Sequence, residues 1–409
     1  MGTNLRLAWR NIWRNKRRTL ITAASVFLAV FLALVMRSMQ IGTYARMTDN
    51  IVHAYTGYIQ VHKKGYWEEK DINNSFRLSD TLMQVLERQK NVRDVIPRLE
   101  SFALASFGPK TKGVMVVGTD PVREDNLTGL QEKIIRGRYL SRSGPGVLVA
   151  KKLAEYLDLN PGDTLVLIGQ GYHGSSAAGK WPVTWIVHFS SPDLDRQMVY
   201  LPLPEAQAFS DADNQVTSLV LNLADPGRMN RTKRAIEKSV LSANYEVMSW
   251  DEMLVEVVQH IEADSASGQI MIGILYMIIG FGIFGTILMM TAERIREFGV
   301  MVSLGTQKAR LAVIVVMESI FIGFLGVLTG AAACIPLILY FSRHPIPLGE
   351  EIGQATESYG YEALLCFEPP SSYFLGNALV VLAIIFLAAI YPVRKILRMN
   401  LINALRNKG

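Results

Sequence analysis

Long apolar runs constrain this chain more than any other feature, because about 18 or more residues without charge is the length of a membrane-crossing helix. Gln269–Ala292 and Tyr373–Tyr391 carry no charged side chain, and Leu311–Phe341 is interrupted only by Glu318 and Pro336. A helix over that third run would extend about 46 Å, so it must tilt, kink or protrude. Leu20–Met36 gives about 25 Å of helix, just under the hydrocarbon thickness, but Arg37 can snorkel and Leu20–Ile41 completes a first span. Half of the 409 residues are hydrophobic, which is ample for four spans and a separate core. The expected spans are 20–41, 269–292, 311–341 and 373–391.

Charge orients the four spans. The flanks 1–19, 293–310 and 392–409 together hold 15 Lys and Arg against 2 Asp and Glu, whereas the rest of the chain holds 27 against 34. Basic loops stay on the cytoplasmic side, so both termini and the central loop are expected there. Residues 42–268 and the loop 342–372 then lie outside. The net charge of +6 is a topology signal rather than a nucleic-acid footprint. A cleaved leader is disfavoured by the long basic flank, the long apolar run and the lack of an A-x-A site, so the first span reads as a retained anchor. Cys334 falls within the third span and Cys366 in the outer loop, which disfavours a disulfide and offers no metal framework.

The segment Thr291–Arg310, TAERIREFGVMVSLGTQKAR, packs charge and apolar side chains into a stretch too short to be a domain. Glu293, Arg294, Arg296 and Glu297 cluster where a span would emerge into water. Phe298, Val300, Met301 and Leu304 follow as a compact apolar set, and Gly299 and Gly305 allow the backbone to turn. A solvated connector has no need of those side chains, whereas a short amphipathic helix that docks on a partner does. At the other flank, NLRLAWRNIWRNKRR places Leu5, Ala8, Trp9, Ile12 and Trp13 on one helical face, with Arg6, Arg10, Arg14 and Arg17 around it. A simple basic anchor accounts for those charges but not for the tryptophan spacing. Trp9, Arg10, Trp13 and Arg14 therefore read as a helix lying in the inner headgroup layer.

The stretch ERIREFGVMVSLG resembles the ER-x-RE-x-G-h-h-x-x-x-G signature that follows the second membrane helix of MacB/FtsX-type (type VII) ABC transporter permeases, a group that includes the LolC/LolE permeases. The N-terminal RNIWRNKRRT is similar to the opening of such chains, and GRYL…GPGVLVAKKLAEYLDLNPGDTLVL (137–167) resembles the MacB-type extracytoplasmic core. The ending YPVRKILRMNLINALR resembles the family's, with Leu401 where proline is usual. The resemblance implies an integral membrane α-helical protein with four transmembrane helices, cytoplasmic termini and a large α+β extracytoplasmic domain, in a bacterial inner membrane. It implies a non-catalytic chain that binds no cofactor, with ATP and magnesium held by a separate cytosolic ATPase dimer. Residues 293–310 would be the coupling helix, contacting that ATPase through Glu293, Arg294, Arg296, Glu297, Phe298, Gly299, Met301, Leu304 and Gly305. Charge reversal at Arg294 and Arg296 is expected to uncouple the partner and spare the fold, since both lie outside the apolar runs. Further implied partners are a second permease, like or unlike this one, membrane lipids and a periplasmic lipoprotein carrier. The layout is closest to LolC/LolE, which implies release of lipoproteins or lipids, with acyl chains entering laterally near Met36, Met39 and Ile274. MacB-like efflux and FtsX-like activation of cell-wall hydrolases are the alternatives, and a receptor-like membrane protein is the rival outside the class.

The inserted region reads as strands at Tyr58–His62, Val92–Ile96, Phe102–Phe107, Gly113–Gly118, Thr164–Ile168, Val183–Phe189, Met198–Leu201 and Val216–Asn222, with helices at Leu78–Gln89, after Val147–Val149, at Glu205–Phe209 and at Pro226–Leu241. This alternation predicts an α+β or α/β domain in two lobes. Gly174–Lys180, GSSAAGK, nearly spells a phosphate loop, but Trp181 stands where the magnesium-binding hydroxyl is required. The surrounding Gly169–Trp181 reads as an exposed glycine-rich loop, either a partner-contacting hook or a plain connector. The six histidines show no metal spacing, and no G-x-S-x-G elbow is present. Glu318, an ionisable group within a span, is either a polar contact in a working helix interface or a carboxylate satisfied near the inner face. Gly323, Gly326 and Gly330 on the same helix suit close helix approach, expected here at an interface with a second permease.

Overall fold

The computed structural model describes residues 2–14, 16–137, 146–239, 244–348 and 364–399. It divides into two compact units, a helical one built from the stretches up to Ala45, Ile261–Pro347 and Leu364 onward, and an inserted one over Arg46–His260.

The chain opens with α1 (Gly2–Arg14) and α2 (Lys16–Ile51), and α2 passes into a π-helical turn at Val52–Thr56. Within the inserted unit lie β1 (Ile59–Lys63), α3 (Asp80–Glu87), β2 (Val92–Phe107), β3 (Lys110–Thr119), α4 (Pro121–Thr128), β4 (Ile134–Gly137), β5 (Val147–Ala150), α5 (Lys151–Leu157), β6 (Thr164–Gln170), β7 (Ser176–Val187), α6 (Pro192–Gln197), β8 (Met198–Pro202), α7 (Leu203–Phe209), β9 (Ser218–Leu223), α8 (Met229–Ser239) and β10 (Tyr245–Ser249). After it come α9 (Val255–Glu293), α10 (Ile295–Ser303), α11 (Lys308–Arg343) and α12 (Ser372–Leu397). Among the described residues, the helices containing α2, α9, α11 and α12 are long and apolar enough to cross a membrane.

Several elements are longer than their sequence signals. The second apolar helix begins at Val255 rather than Gln269, because VEVVQHIEADSAS holds no residue that stops a helix. Helices α11 and α12 continue through Pro336 and Pro392. In the inserted unit, two expected strands are one 16-residue strand, β2, in which Pro97 is accommodated opposite Leu219. The sequence also hid α4, whose N-cap Asp120 accepts from the amides of Val122 and Arg123 ahead of Pro121 at its first turn.

The long β2 joins the two lobes of the inserted unit. Its C-terminal half pairs with β3 and β6, and the pairings β3–β8, β8–β5, β5–β7 and β7–β6 close a ring of six strands. Closure removes the exposed edges of an open sheet. The interior is filled from both sides of the ring by Leu99, Ala105, Val116, Leu148, Leu165 and Val199, among others. Its N-terminal half pairs instead with β9, which continues to β1 and β10 over a second core containing Ile59, Val95, Leu219 and Ile236.

The Gly169–Trp181 stretch is not a loose loop. It forms most of the β6–β7 hairpin, and only Gly171–Ser175 turn. That turn is held by the Tyr172 amide donating to the Ser210 carbonyl at 2.7 Å and the His173 amide donating to Asn73 Oδ1 at 2.7 Å. A Cβ on Gly171 would stand 2.5 Å from the Ser210 carbonyl oxygen, and one on Gly179 would enter the Trp181 ring. The phosphate-loop lookalike is therefore a strand with no cradle.

In the helical unit, α11 is the central element. Val26, Val30, Leu34, Ile283, Val327, Ile338 and Ile385 form its main core. Gly326 and Gly330 let α2 approach: a Cβ on Gly326 would lie 2.5 Å from Val26 Cβ, and one on Gly330 would lie 2.9 Å from the Phe27 carbonyl oxygen. Gly323 similarly faces Ile385 of α12. The expected inter-subunit role for these glycines is thus corrected, since their open faces are already filled from within the chain. Residues 349–363 of the expected outer loop, residues 400–409 of the tail including Leu401, and 138–145 of the GRYL…GPG run lie outside the described residues.

Candidate functional site

The site grows from a break in helical geometry. Helix α9 ends at Glu293, Arg294 adopts φ −91° and ψ 0°, and α10 starts in a new direction at Ile295. Gly305, at φ 93°, ends α10: its amide donates to the Val302 carbonyl and the Thr306 amide to the Met301 carbonyl. This is a Schellman cap, and its positive φ explains the glycine. Gly299, by contrast, is not a turn residue but a buried position inside α10.

Helix α10 has two faces. Phe298 is 2% exposed and packs with Leu311, Ala312, Val315, Ile396 and Met399, with Ile295, Met301 and Val302 alongside. Its expected role as an anchor for another protein is corrected, because the ring already fills this chain's own core. The opposite face carries Arg296, Val300 and Leu304, with Leu304 81% exposed. Those positions lie at helical spacing and leave a stripe with no cover from the described residues.

Electrostatics fix α10 in place. Arg294, expected at the water boundary, is buried, and its Nη1 donates to Glu318 Oε2 of α11 at 2.6 Å. Its guanidinium also lies 5.2 Å from the Phe298 ring centroid, a favourable cation–π placement. Glu318 Oε1 accepts from Asn11 Nδ2 of α1 at 2.7 Å. On the exposed side Glu297 Oε2 accepts from Arg14 Nη2 at 2.7 Å and lies 3.5 Å from Arg294 Nε. A buried carboxylate without partners would be strongly disfavoured, so Glu318 is stable here only with both oxygens occupied. Reversing Arg294 would leave that carboxylate uncompensated, so the expectation that this change spares the fold is corrected. Arg296 is exposed and keeps it. Beside the pair, among Thr22, Thr291, Arg294 and Glu318, is a cavity of about 20 Å³, space for roughly one water.

Helix α1 sits on α11. Ala8 and Ile12 are buried, Ile12 packs with Ala23 and Ile322, and the Trp9 ring meets Phe321 edge-on at 5.9 Å. Thr19 Oγ1 donates to the Ile12 carbonyl at 2.8 Å, tying the end of α1 to α2. Trp9 and Trp13 remain 53% exposed, and Arg10 and Arg14 are exposed beside them. Of the residues expected at a lateral opening, Ile274 is exposed on α9, whereas Met36 and Met39 are half-buried and Met39 packs against the bundle core.

Sequence reasoning missed a second buried ion pair, in the inserted unit. Arg98 of β2 and Glu124 of α4 are both fully buried, with Nε–Oε2 and Nη2–Oε1 contacts of 2.9 and 2.6 Å. Arg98 Nη1 also donates to the Tyr55 carbonyl, and Thr119 Oγ1 donates to Glu124 Oε2. Burial alone would lower the Arg98 pKa, but the adjacent Glu124 carboxylate reverses this and raises it, so the guanidinium stays charged. No local signal marks the pair, since Arg93, Asp94 and Glu100 surround Arg98, and Glu124 stands between Arg123 and Asp125.

Known proteins match along almost the whole chain. Residues 19–239 match the family described as MacB-like periplasmic core domain, and residues 269–401 match FtsX-like permease C-terminal. The lipoprotein-releasing system transmembrane protein LolE of Haemophilus influenzae is 22% identical, covering 96% of each chain. LolC of the same system in Neisseria meningitidis is 20% identical, covering 95% of this chain and 94% of its own. A solved structure of the periplasmic region of MacB from Actinobacillus actinomycetemcomitans is 15% identical and covers 52% of this chain and 96% of that one, with a TM-score of 0.37. The first of these matches takes in more than half of the sequence, and the second carries the ERIREFGVMVSLG segment built into α10; the chain belongs to the MacB/FtsX-type family of ABC transporter permeases.

Proposed function

We propose that this permease is the membrane subunit that converts ATP hydrolysis on a separate cytosolic ATPase dimer into motion of the inserted domain, and that the work releases lipoproteins or other acylated cargo. The observation that carries the reading is the uncovered stripe Arg296–Val300–Leu304 on a short helix whose other face is locked to α11 by Phe298 and Arg294. A force on the stripe reaches α11 directly, because the buried face leaves α10 little freedom to rotate alone. In this reading both termini and α10 are cytoplasmic, the inserted domain is periplasmic, the membrane is the bacterial inner membrane, and a second permease completes the complex.

The cargo assignment is supported by LolE and LolC, relatives that align end to end and are named for lipoprotein release. It is supported physically by α9, where Ile270, Met271, Ile274, Met277, Ile278 and Phe281 are all more than half exposed. That continuous apolar face suits an acyl chain at the level of the bilayer. A periplasmic carrier would then accept the cargo. The MacB-like core favours efflux of peptides or drugs as the second reading. Photocrosslinkers at Ile274 and Met277, in the complex purified from native membranes, separate the two. Acylated protein captured before ATP and lost after it supports release, and capture of only soluble peptides or drugs assigns efflux. Absence of any co-purifying ATPase would overturn the coupling assignment itself.

A further inference from the structure

The N-terminal helix shares the ion pair that locks α10. Five side chains close a loop: Asn11 to Glu318, Glu318 to Arg294, Arg294 to Glu297, Glu297 to Arg14, and along α1 back to Asn11. Asn11 and Arg14 are three residues apart and so lie on one helical face. Arg294 and Glu297 bracket the start of α10. The distant α1 and the consecutive helices α10 and α11 therefore meet at one carboxylate.

The buried half of the loop decides its mechanics. The Glu318 side chain is 6% exposed, and it gives one oxygen to α1 and the other to Arg294. Neither donor can leave without stranding a buried acceptor, so separation of α1 or α10 from α11 is opposed at the same atom pair. The Arg14–Glu297 contact is half-exposed on both sides and adds orientation more than strength. Ala8, Ile12 and Trp9 hold the rest of α1 flat on α11.

We infer that α1 is a working part of the transmission: Asn11 and Arg14 are positioning residues, and α1, α10 and the adjoining turn of α11 move as one body. This deepens the coupling reading above, but its test needs only this chain. The exposed Trp9 and Trp13 would then seat that body against the membrane surface, giving α10 a support to push from.

The test is hydrogen–deuterium exchange of the full-length permease in phosphatidylethanolamine–phosphatidylglycerol nanodiscs, following the α1 and α10 amides separately. Asn11→Asp sets a second carboxylate against Glu318, and exchange is expected to rise about tenfold or more in α10 as well as α1. Adding Glu318→Gln restores complementarity: the new amide donates to the residue-11 carboxylate while its oxygen still accepts from Arg294, and both helices return toward wild-type protection. Ile12→Ala loosens α1 without touching the loop and should raise exchange in α1 alone. The inference fails if Asn11→Asp leaves α10 unchanged, if Glu318→Gln does not rescue it, or if Ile12→Ala loosens α10 equally. Should Asn11→Asp not assemble, Asn11→Leu removes the donor without adding charge; raised α10 exchange supports the inference and unchanged exchange overturns it. Loss of the ATPase reading would show instead as no ATPase in the purified complex, with these exchange results unaffected.

Discussion

At the scale of single residues, burial separates roles that the sequence could not separate. Phe298 and Leu304 both stood out as apolar side chains among charges, yet one is 2% exposed and the other 81%. Phe298→Ala is therefore expected to destabilise the helical unit by about 3–5 kcal/mol, seen as a lower thermal midpoint in detergent. Leu304→Ala should leave that midpoint unchanged and weaken ATPase co-purification by about 1–3 kcal/mol in binding free energy. Equal stability losses in the two variants would remove the distinction between the faces of α10. The inserted unit offers a cleaner electrostatic test. Glu124→Ala strands the buried Arg98 guanidinium and should cost about 3–5 kcal/mol, whereas Arg98→Met with Glu124→Leu should recover most of that loss. If the double replacement is no better than the single one, hydrogen bonds to the Tyr55 carbonyl and Thr119 matter more than charge pairing.

At the scale of elements, much was legible because it depended on local periodicity. Apolar run length located all four long helices, and charge with apolar spacing located α10 and α1 as helices. Helix ends were not legible where polar helix formers continue an apolar run, as at Val255–Gly268, nor where a proline is tolerated, as at Pro392. Strand continuity through Pro97 depended on a partner distant in sequence, as did the turn of the β6–β7 hairpin, which Ser210 and Asn73 hold. The loop joining Asn11 to Glu318 spans 307 positions, and no local pattern encodes it. Glycine illustrates the same limit, because its sequence does not say which helix it meets. Gly326→Ala would push a methyl onto Val26 and the Ala23 carbonyl, and is expected to cost about 1–3 kcal/mol. Gly282→Ala on α9 meets open space and should be neutral or stabilising by up to about 1 kcal/mol, as helix propensity favours alanine. Thermal unfolding of the two variants in the same detergent gives the comparison, and similar losses in both would show that propensity rather than packing governs these positions.

At the scale of the whole molecule, four crossings make orientation a single binary choice. If all four candidate spans cross, as proposed above, both flanks and the connection that contains α10 would share one side and the inserted unit would lie on the other. The basic residues choose between the two arrangements. Fifteen Lys and Arg against 2 Asp and Glu gather in the end segments and the α10 connection, while the remaining sequence is net acidic. In the proposed orientation, retention of such short basic segments on the cytoplasmic side would drive the inserted unit outward. The native thiols will not obscure a labelling test, since Cys334 is 0% and Cys366 9% exposed. Glu132→Cys in the inserted unit and Ser303→Cys at the end of α10 both replace exposed side chains. In intact spheroplasts a membrane-impermeant maleimide is expected to label position 132 at once and position 303 only after permeabilisation. The reverse pattern would invert the topology and place α10 out of reach of any cytosolic ATPase. Labelling of both positions without permeabilisation would mean that α9 does not cross the bilayer, and the transmission route from α10 through α11 would have to be redrawn.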